Sequence, residues 1–484
     1  MRALVRKWLS RVAAALGLVL LTVLAVRAFD AWRSPPLKLW HTEVPRELDA
    51  KAIDAADWFT WLKAEDVALS DVRARVSDKL PQGDRIPSNR FFAGSPMNPA
   101  RLAVDWNRTQ VLMPEGTPRG GVVLLHGLTD SPYSLRHVAA HYRERGFVAV
   151  TIRLPGHGTV PAGLTQVEWT DWMAATRLAV LHARTLAKDG PLHVVGYSNG
   201  GALALKYALD ALENPSLARP DQIVLISPMI GITSFARFAG VLGWPAVFPP
   251  FAKAAWLDVV PEYNPVKYNS FPVNAARQSS RLVRNLGAQL TRLSKQGALE
   301  QLAPVLTFQS VLDSIVSTRA VVDELHALLP PGRSELVLFN RNGSADAAPI
   351  LRAGIDETMR AIMNPVSNGF SITVVGASPT GSMARTLSAG SAMSVDVPLS
   401  LIYPRDMYSL SHVALPFPLD DGLYGTQPDP TDDYGVKLGM VAVRGERGSL
   451  VVSADTLMRA TCNPFFDYLL ERIDATLPTS ASPP

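Results

Sequence analysis

Leu192-His-Val-Val-Gly-Tyr-Ser-Asn-Gly-Gly201 is the stretch that decides the fold. Leu192 to Val195 is an apolar run of strand length. It passes straight into Gly196-Tyr197-Ser198-Asn199-Gly200, which has the pattern G-x-S-x-G, and Asn199 to Glu213 then reads as a helix. A strand turned sharply into a helix holds the serine above the strand end, with the free amides of the helix N-terminus facing its surroundings. So tight a turn requires very small residues beside the serine. Gly196 and Gly200 meet that need, and Gly201 leaves room for the helix to pack closely. The bare pattern arises by chance often enough that its setting, strand before and helix after, has to carry the reading.

Outward from this stretch, residues of about 100 to 228 alternate between strand and helix. Gly121 to Gly127, Phe147 to Leu154, Leu192 to Tyr197 and Gln222 to Ile226 are short apolar runs, with helices from Ser131-Pro132 and from near Thr170 between them. Continuous apolar runs alternating with helices indicate a parallel sheet buried on both faces. The expected fold is α/β: a mostly parallel central sheet flanked by helices. Residues 229–300 break the alternation. They open with Phe235, Phe238, Leu242, Trp244, Phe248, Phe251 and Trp256 among prolines and turn into a basic helix, and are read as a cap or lid insertion. Alternation returns at Val305 to Gln309, a helix from Thr318 to Leu329, and Glu335 to Phe339. Residues 342–400, rich in Gly, Ser and Ala, make a second insertion; Leu399 to Tyr403 is expected as a strand and Pro464 to Leu477 as the last helix. The division is thus 1–34 signal anchor or signal peptide, 35–87 helical extension, 88–228 and 301–341 core, 229–300 and 342–400 insertions, and 401–484 the C-terminal core. In the extension, Asp57, Trp58, Trp61, Leu62, Glu65 and Leu69 fall at helical spacings.

The N-terminus sets the compartment. Arg2, Arg6, Lys7 and Arg11 precede Val12 to Val26, a run without charge. At about 1.5 Å per residue the run is short for a bilayer and suits a signal-peptide core. Extended to Phe29 and Trp32, with Arg27 reaching back to the interface, it makes a tilted anchor. Basic residues ahead of it leave the body outside the cytoplasm: anchored in a bacterial inner membrane and facing the periplasm, or periplasmic or secreted if the segment is cleaved. The formal net charge of +4 comes from these four basic residues; the remainder is balanced, which excludes the basic footprint of a nucleic-acid binder. Cys462 is the sole cysteine, so no intramolecular disulfide or thiolate metal cluster is possible. It reads as a small buried side chain.

A serine hydroxyl needs a base, and the base needs an orienting acid. In a strand–elbow–helix setting the chain order is serine, acid, histidine. Two histidines follow Ser198. His326 lies within a helical pattern; His412, in Ser409-Leu-Ser-His412-Val, lies in a loop after a late strand, where the base belongs. Asp313 follows the strand Val305 to Gln309 and is the acid, with Asp346 and Asp406 as rivals. The backbone amides of Asn199 and Leu128 are the candidate donors to a developing oxyanion. His137 and His141, with Glu144, read as a solvated helix face rather than a metal site; His126 and His157 shape loops around the site, and His193 is a core histidine. No cofactor motif is present and the chemistry needs no metal.

With Leu124-Leu-His-Gly-Leu-Thr-Asp-Ser-Pro-Tyr-Ser134, Arg153-Leu-Pro-Gly-His-Gly-Thr159, Gly196 to Gly200, Val311 to Val316 and Ser411-His-Val413, the chain resembles the bacterial α/β-hydrolases of the monoacylglycerol lipase, carboxylesterase and serine aminopeptidase type over roughly residues 100–340 and 400–475. The resemblance implies the α/β-hydrolase fold, Ser198, Asp313 and His412 as catalytic triad, Leu128 and Asn199 as oxyanion donors, and 229–300 as the cap. Two departures stand out: the acid-to-histidine interval is 99 residues, longer than such proteins usually have, and the N-terminal helical region is extra. A serine at the elbow points to acyl transfer through an acyl-enzyme. An aromatic cap near a membrane favours acyl or lipid esters. A peptidase acting at N-termini would need an acid to hold the ammonium, for which the cap offers chiefly Asp258 and Glu262. An acyltransferase with the same triad and a catalytically dead binding module are the remaining alternatives.

Overall fold

The computed structural model describes residues 2–231, 249–313, 315–343, 369–378, 381–391, 393–441 and 458–478. Its centre is a ten-stranded sheet in the order β1-β3-β2-β4-β5-β8-β9-β10-β11-β12. The strands are β1 (Gln110–Leu112), β2 (Gly120–Leu125), β3 (Phe147–Ile152), β4 (Leu192–Tyr197), β5 (Gln222–Ile226), β8 (Val305–Ser310), β9 (Ser334–Phe339), β10 (Ser371–Ser378), β11 (Gly381–Leu387) and β12 (Ser394–Leu399). A separate two-stranded ribbon, β6 (Trp256–Asp258) and β7 (Phe271–Pro272), lies between β5 and β8 in sequence. From β3 to β10 neighbours in the main sheet run parallel; β1 and the β10–β11–β12 meander are antiparallel.

Side chains alternate across the parallel strands, so two cores form. Val123, Leu125, Val194, Ile223 and Leu225 face one side. There they meet the helices α4 (Trp169–Ala187), α5 (Asn199–Glu213) and α6 (Val273–Lys295). Val122, Leu124, Val195, Val224 and Phe308 face the other, against α3 (Arg136–Glu144) and α7 (Phe466–Asp474). Two long helices precede these in the chain: α1 (Arg2–Arg33) and α2 (Trp58–Arg75). Helix α2 belongs to the extension expected at 35–87. Asp57 caps it by accepting from the Thr60 amide, and Trp61 plugs into the first core. Arg153, 1% exposed, sits between Glu47 and Glu65 of this extension at 2.8 and 3.0 Å and ties it to the sheet.

The structure changes several expectations. Within 342–400, three described strands, the β10–β12 meander, extend the sheet beyond β9, which the composition of the segment did not announce. The strand expected at Leu399–Tyr403 ends at Leu399, the last residue of β12. In the 229–300 segment, α6 carries Ala275, Leu282, Val283, Leu286, Leu290 and Leu293 into the first core, as the covering helix that a parallel β5-to-β8 connection requires. Phe235, Phe238, Leu242, Trp244 and Phe248 of the aromatic stretch, and Asp346, lie outside the described residues, as do residues 344–368 of the second insertion. The expected helix from Thr318 ends as an α-helix at Glu324, and a tighter turn at His326–Leu328 buries His326 against Thr307. His137 and His141 do not form a solvated face. Each is tied to a carboxylate, His137 to Asp421 at 2.9 Å and His141 to Asp474 at 2.7 Å, because the Asp421 loop and the end of α7 cover α3. Helix α1 holds an apolar stretch, Val5–Val26, long enough to cross a membrane by length and composition.

Candidate functional site

The turn after β4 has the conformation its glycines imply. Ser198 adopts φ +54° and ψ −115°, a backbone region that a residue with a side chain occupies only when its surroundings enforce it. Those surroundings leave no room for a Cβ. One placed on Gly196 would lie 2.2 Å from the Gly200 carbonyl oxygen, and one on Gly200 would lie 1.9 Å from that of Leu125. The Ser198 amide donates to Ile226 O at 3.0 Å, and Met229 N donates to Ser198 O at 2.9 Å, so both flanks of the serine are fixed to the end of β5.

His412 opens a short turn, His412–Ala414, and is 4% exposed. Its loop is anchored on the end of the sheet. Ser310 Oγ, in the last residue of β8, donates to Leu410 O at 2.7 Å, and the Tyr197 hydroxyl contacts His412 O at 3.4 Å. The Tyr197 and His412 rings lie 5.4 Å apart. Asn342, fully buried, holds the preceding loop by donating to Pro404 O at 2.8 Å and Met407 O at 3.0 Å. Asn342 carries no motif, and only the need to satisfy buried carbonyls could have drawn attention to it.

Asp313 stands just beyond β8, and its Oδ2 lies 2.9 Å from His412 Nδ1. Oδ1 accepts from the Ile315 and Val316 amides at 2.8 and 2.9 Å, and Gln309 Nε2 donates to Oδ2 at 2.9 Å. Burial alone would raise the pKa of this carboxyl. Electrostatic attraction to His412 and its hydrogen bond, with the two amides, outweigh burial and hold it below the ordinary carboxylate value. With Nδ1 facing a carboxylate, the proton belongs on Nδ1 and Nε2 is left as the basic nitrogen. The Ser198 hydroxyl makes no hydrogen bond among the described residues. Serine–histidine bonds of this kind often tighten only when substrate binds. Of the rival acids, Asp406 lies along the same loop as His412, lining a small cavity beside it.

Leu128 and Asn199 lie at the loop after β2 and at the first position of α5. Among the described residues neither main-chain N–H donates a hydrogen bond, so both are free for a ligand oxygen. Around them, His126 Nε2 accepts from Leu154 N at 3.1 Å, and His126 and His157 meet edge to face at 4.9 Å. Burial drives His126 down to about 3 and keeps both rings neutral, in keeping with their expected loop-shaping part. His193, a core residue, contacts the Tyr142 hydroxyl at 3.1 Å. Cys462 is buried.

A cavity of about 550 Å³ opens beside the pair, bounded by Tyr197 and Val413, the chain neighbours of Ser198 and His412. Its walls are largely apolar, with Asp130, Lys267 and Arg459 among the polar groups. Sequence reasoning missed Asp130, which lies in the Leu124–Ser134 motif but was passed over there.

Parts of the chain are similar to known proteins. Residues 116–341 match the family model described as serine aminopeptidase, S33. The chain is 27% identical over 218 residues to a thermostable monoacylglycerol lipase of Bacillus sp. (strain H-257), covering 45% of this chain and 74% of that protein. It is 31% identical over 161 residues to Lipase LipV of Mycobacterium tuberculosis, covering 31% and 55%. Among solved structures, a soluble variant of monoglyceride lipase from Saccharomyces cerevisiae is 16% identical over 48% of this chain and 82% of that one, with a TM-score of 0.38.

Proposed function

The chain belongs to the α/β-hydrolase superfamily, and from that premise we propose that it is a serine hydrolase that cleaves carboxylic esters, acyl or lipid esters foremost, through an acyl-enzyme on Ser198. The observation that carries this reading is the 2.9 Å bond between His412 Nδ1 and Asp313 Oδ2 at the strand ends that also present the strained Ser198. The curated relatives named as lipases favour ester substrates.

In this scheme Ser198 Oγ attacks the ester carbonyl as His412 Nε2 takes its proton. The Leu128 and Asn199 amides receive the negative charge on the carbonyl oxygen. The tetrahedral intermediate collapses, the C–O bond breaks, and His412 returns the proton to the leaving alcohol. Water, deprotonated by His412, then attacks the acyl-Ser198 ester and releases the carboxylic acid. Asp313 keeps the imidazole in the Nδ1–H form and stabilises the imidazolium. Helix α1 serves as membrane anchor or signal segment, which would bring the body to a lipid surface.

The aminopeptidase alternative is weaker. Glu262 is buried with its oxygens committed to the Asn269 and Ser270 amides, and neither it nor Asp258 lines the cavity beside His412. Asp130 does line it, but in the company of Lys267 and Arg459, which disfavour an ammonium.

Labelling with a fluorophosphonate and hydrolysis of 4-nitrophenyl esters of graded chain length test the reading. Wild type should label and turn over, while Ser198→Ala and His412→Ala should do neither. Activity surviving in Ser198→Ala would reject the assignment.

A further inference from the structure

Among the described residues that line the cavity beside His412, positive charges outnumber negative ones. Lys267 and Arg459 line it, Asp130 is the carboxyl opposed to them, and among the described residues neither cation lies within ion-pair distance of a carboxylate. Arg459 also lines the smaller cavity of about 220 Å³ that His412 itself borders, so its side chain stands between the two spaces. Its Nη2 is buried without a hydrogen-bond partner. A guanidinium nitrogen in that condition costs free energy unless something bound satisfies it.

Both cations are set on fixed backbone. Beside Arg459, Ala460 O accepts from Ser411 Oγ, and Thr461 Oγ1 donates to Tyr424 O at 2.7 Å, so Arg459 is pinned to the His412 loop on one side and to the cavity wall on the other. Next to Lys267, Tyr268 N donates to Thr129 O at 2.8 Å, and Lys267 O accepts from the buried Arg90 at 3.2 Å. Asp130 is held at the floor by the Ser131 amide at 3.0 Å. Burial pushes its carboxyl up to about 6, with Lys267 pulling the other way.

We propose that this cavity selects esters bearing an anionic group, a carboxylate or a phosphate, which Lys267 and Arg459 hold while Ser198 attacks the ester carbon. The inference rests on the serine-esterase reading above and names the substrate class of the same site. The anion can sit on either side of the ester, and matched probes separate the two. One pair is 4-nitrophenyl valerate and the 4-nitrophenyl monoester of glutaric acid, which puts the charge on the acyl group. The other is 1-lauroylglycerol and 1-lauroylglycerol 3-phosphate, which puts it on the alcohol.

The quantity to measure, at pH 8 where Asp130 is ionised, is the ratio of kcat/KM for the charged member of each pair to that for the neutral one. Wild type should favour the charged ester by about tenfold or more in at least one pair, the worth of one charge-assisted contact. Lys267→Met and Arg459→Met should each cut that ratio, Arg459→Lys should restore most of it, and Asp130→Asn should raise it. The opposite sign expected for Asp130→Asn separates charge selection from general damage to the fold. A ratio at or below one in both pairs, or one that Lys267→Met and Arg459→Met leave unmoved, overturns the inference while leaving esterase activity standing. Fluorophosphonate labelling of Ser198 with none of the four esters cleaved overturns it too. Absence of both labelling and cleavage removes the serine-esterase reading itself.

Discussion

His412 Nδ1 and Asp313 Oδ2 meet at 2.9 Å although 99 residues separate them in the chain. The intervening segment does not push them apart because β9 and the β10–β12 meander continue the sheet outward from β8, and the chain then returns to the strand ends through the Asn342-anchored loop. Asp313→Asn keeps the size of the side chain but removes the acceptor that fixes the Nδ1–H form. We expect kcat on a 4-nitrophenyl ester to fall by roughly 10⁴-fold with little change in KM. The folded carboxyl lies below its unfolded value of about 3.9, so its contribution to stability is complete above that pH and lost as pH falls through the folded value. Denaturant unfolding should therefore find Asp313→Asn less stable than wild type at pH 7 and the two converging in strong acid.

The elbow glycines give a paired test of steric demand. Gly200→Ala would place its Cβ 1.9 Å from the Leu125 carbonyl, a backbone atom that cannot swing away, and should cost more than about 3 kcal/mol or abolish folding. Gly287 lies in the middle of α6 with nothing within 4 Å of a Cβ. Gly287→Ala should raise stability by about 0.5–1 kcal/mol through helix propensity. Equal effects of the two substitutions in urea unfolding would contradict this account of the turn.

How much of this was legible in sequence follows from which interactions are local. The elbow was readable because strand, turn and helix are contiguous and the steric demand falls on glycines within five residues of one another. His412 was readable because few histidines follow Ser198. The β10–β12 meander was not: β12 is exposed along most of its length, so it shows no apolar run, and its pairing with β11 is set by partners rather than by composition. The surroundings of His137 and His141 were hidden for a related reason, since Asp421 and Asp474 lie some three hundred residues away in the chain. The cations of the cavity come from separate loops that only the fold brings together.

Asp421 is the keystone of one cavity wall. Its carboxylate is fully buried and accepts from the Tyr133 hydroxyl, Arg136, His137 and the Leu423 and Tyr424 amides. Burial opposes its charge, but these donors hold its pKa well below the usual carboxylate range. Asp421→Ala would strand His137, leave Arg136 with Asp432 as its remaining carboxylate, and free the loop that carries Phe417 and Tyr424 onto the cavity. Unfolding experiments should show a loss of about 3–5 kcal/mol. Where the variant remains folded, KM for esters should rise more than kcat falls. A variant as stable as wild type would mean that the cluster is idle.

Truncation separates anchor from scaffold. The described side chains of α1 are largely exposed, whereas Trp61 of α2 is buried in the first core and Glu47 and Glu65 neutralise the buried Arg153. Removing residues 1–34 should move the protein from the membrane fraction to the soluble fraction with its esterase activity kept. Removing residues 1–87 should yield insoluble protein, because it uncovers Arg153 and the apolar surface under Trp61. Soluble, active protein after the longer deletion would show that the extension is dispensable.

Five buried histidines shape the acid response of the fold, His157 among them, which burial holds well below the ordinary histidine value. Burial lowers His41 and His193 to about 4 and His126 and His326 to about 3, against about 6.5 when unfolded. Since the folded values are the lower ones, the unfolded chain takes up protons first as pH drops. The stability they contribute is complete above about pH 6.5 and declines toward pH 4, at up to about 1.4 kcal/mol per pH unit for each histidine. Urea unfolding at pH 7.5 and 5.5 should therefore show a marked loss at the lower pH. His326→Asn, which retains a polar group near Thr307 Oγ1 but cannot take up the proton, should start less stable and lose less between the two pH values. A stability that is flat from pH 7.5 to 5.5 would mean that these rings are protonated in the folded protein and that water reaches them.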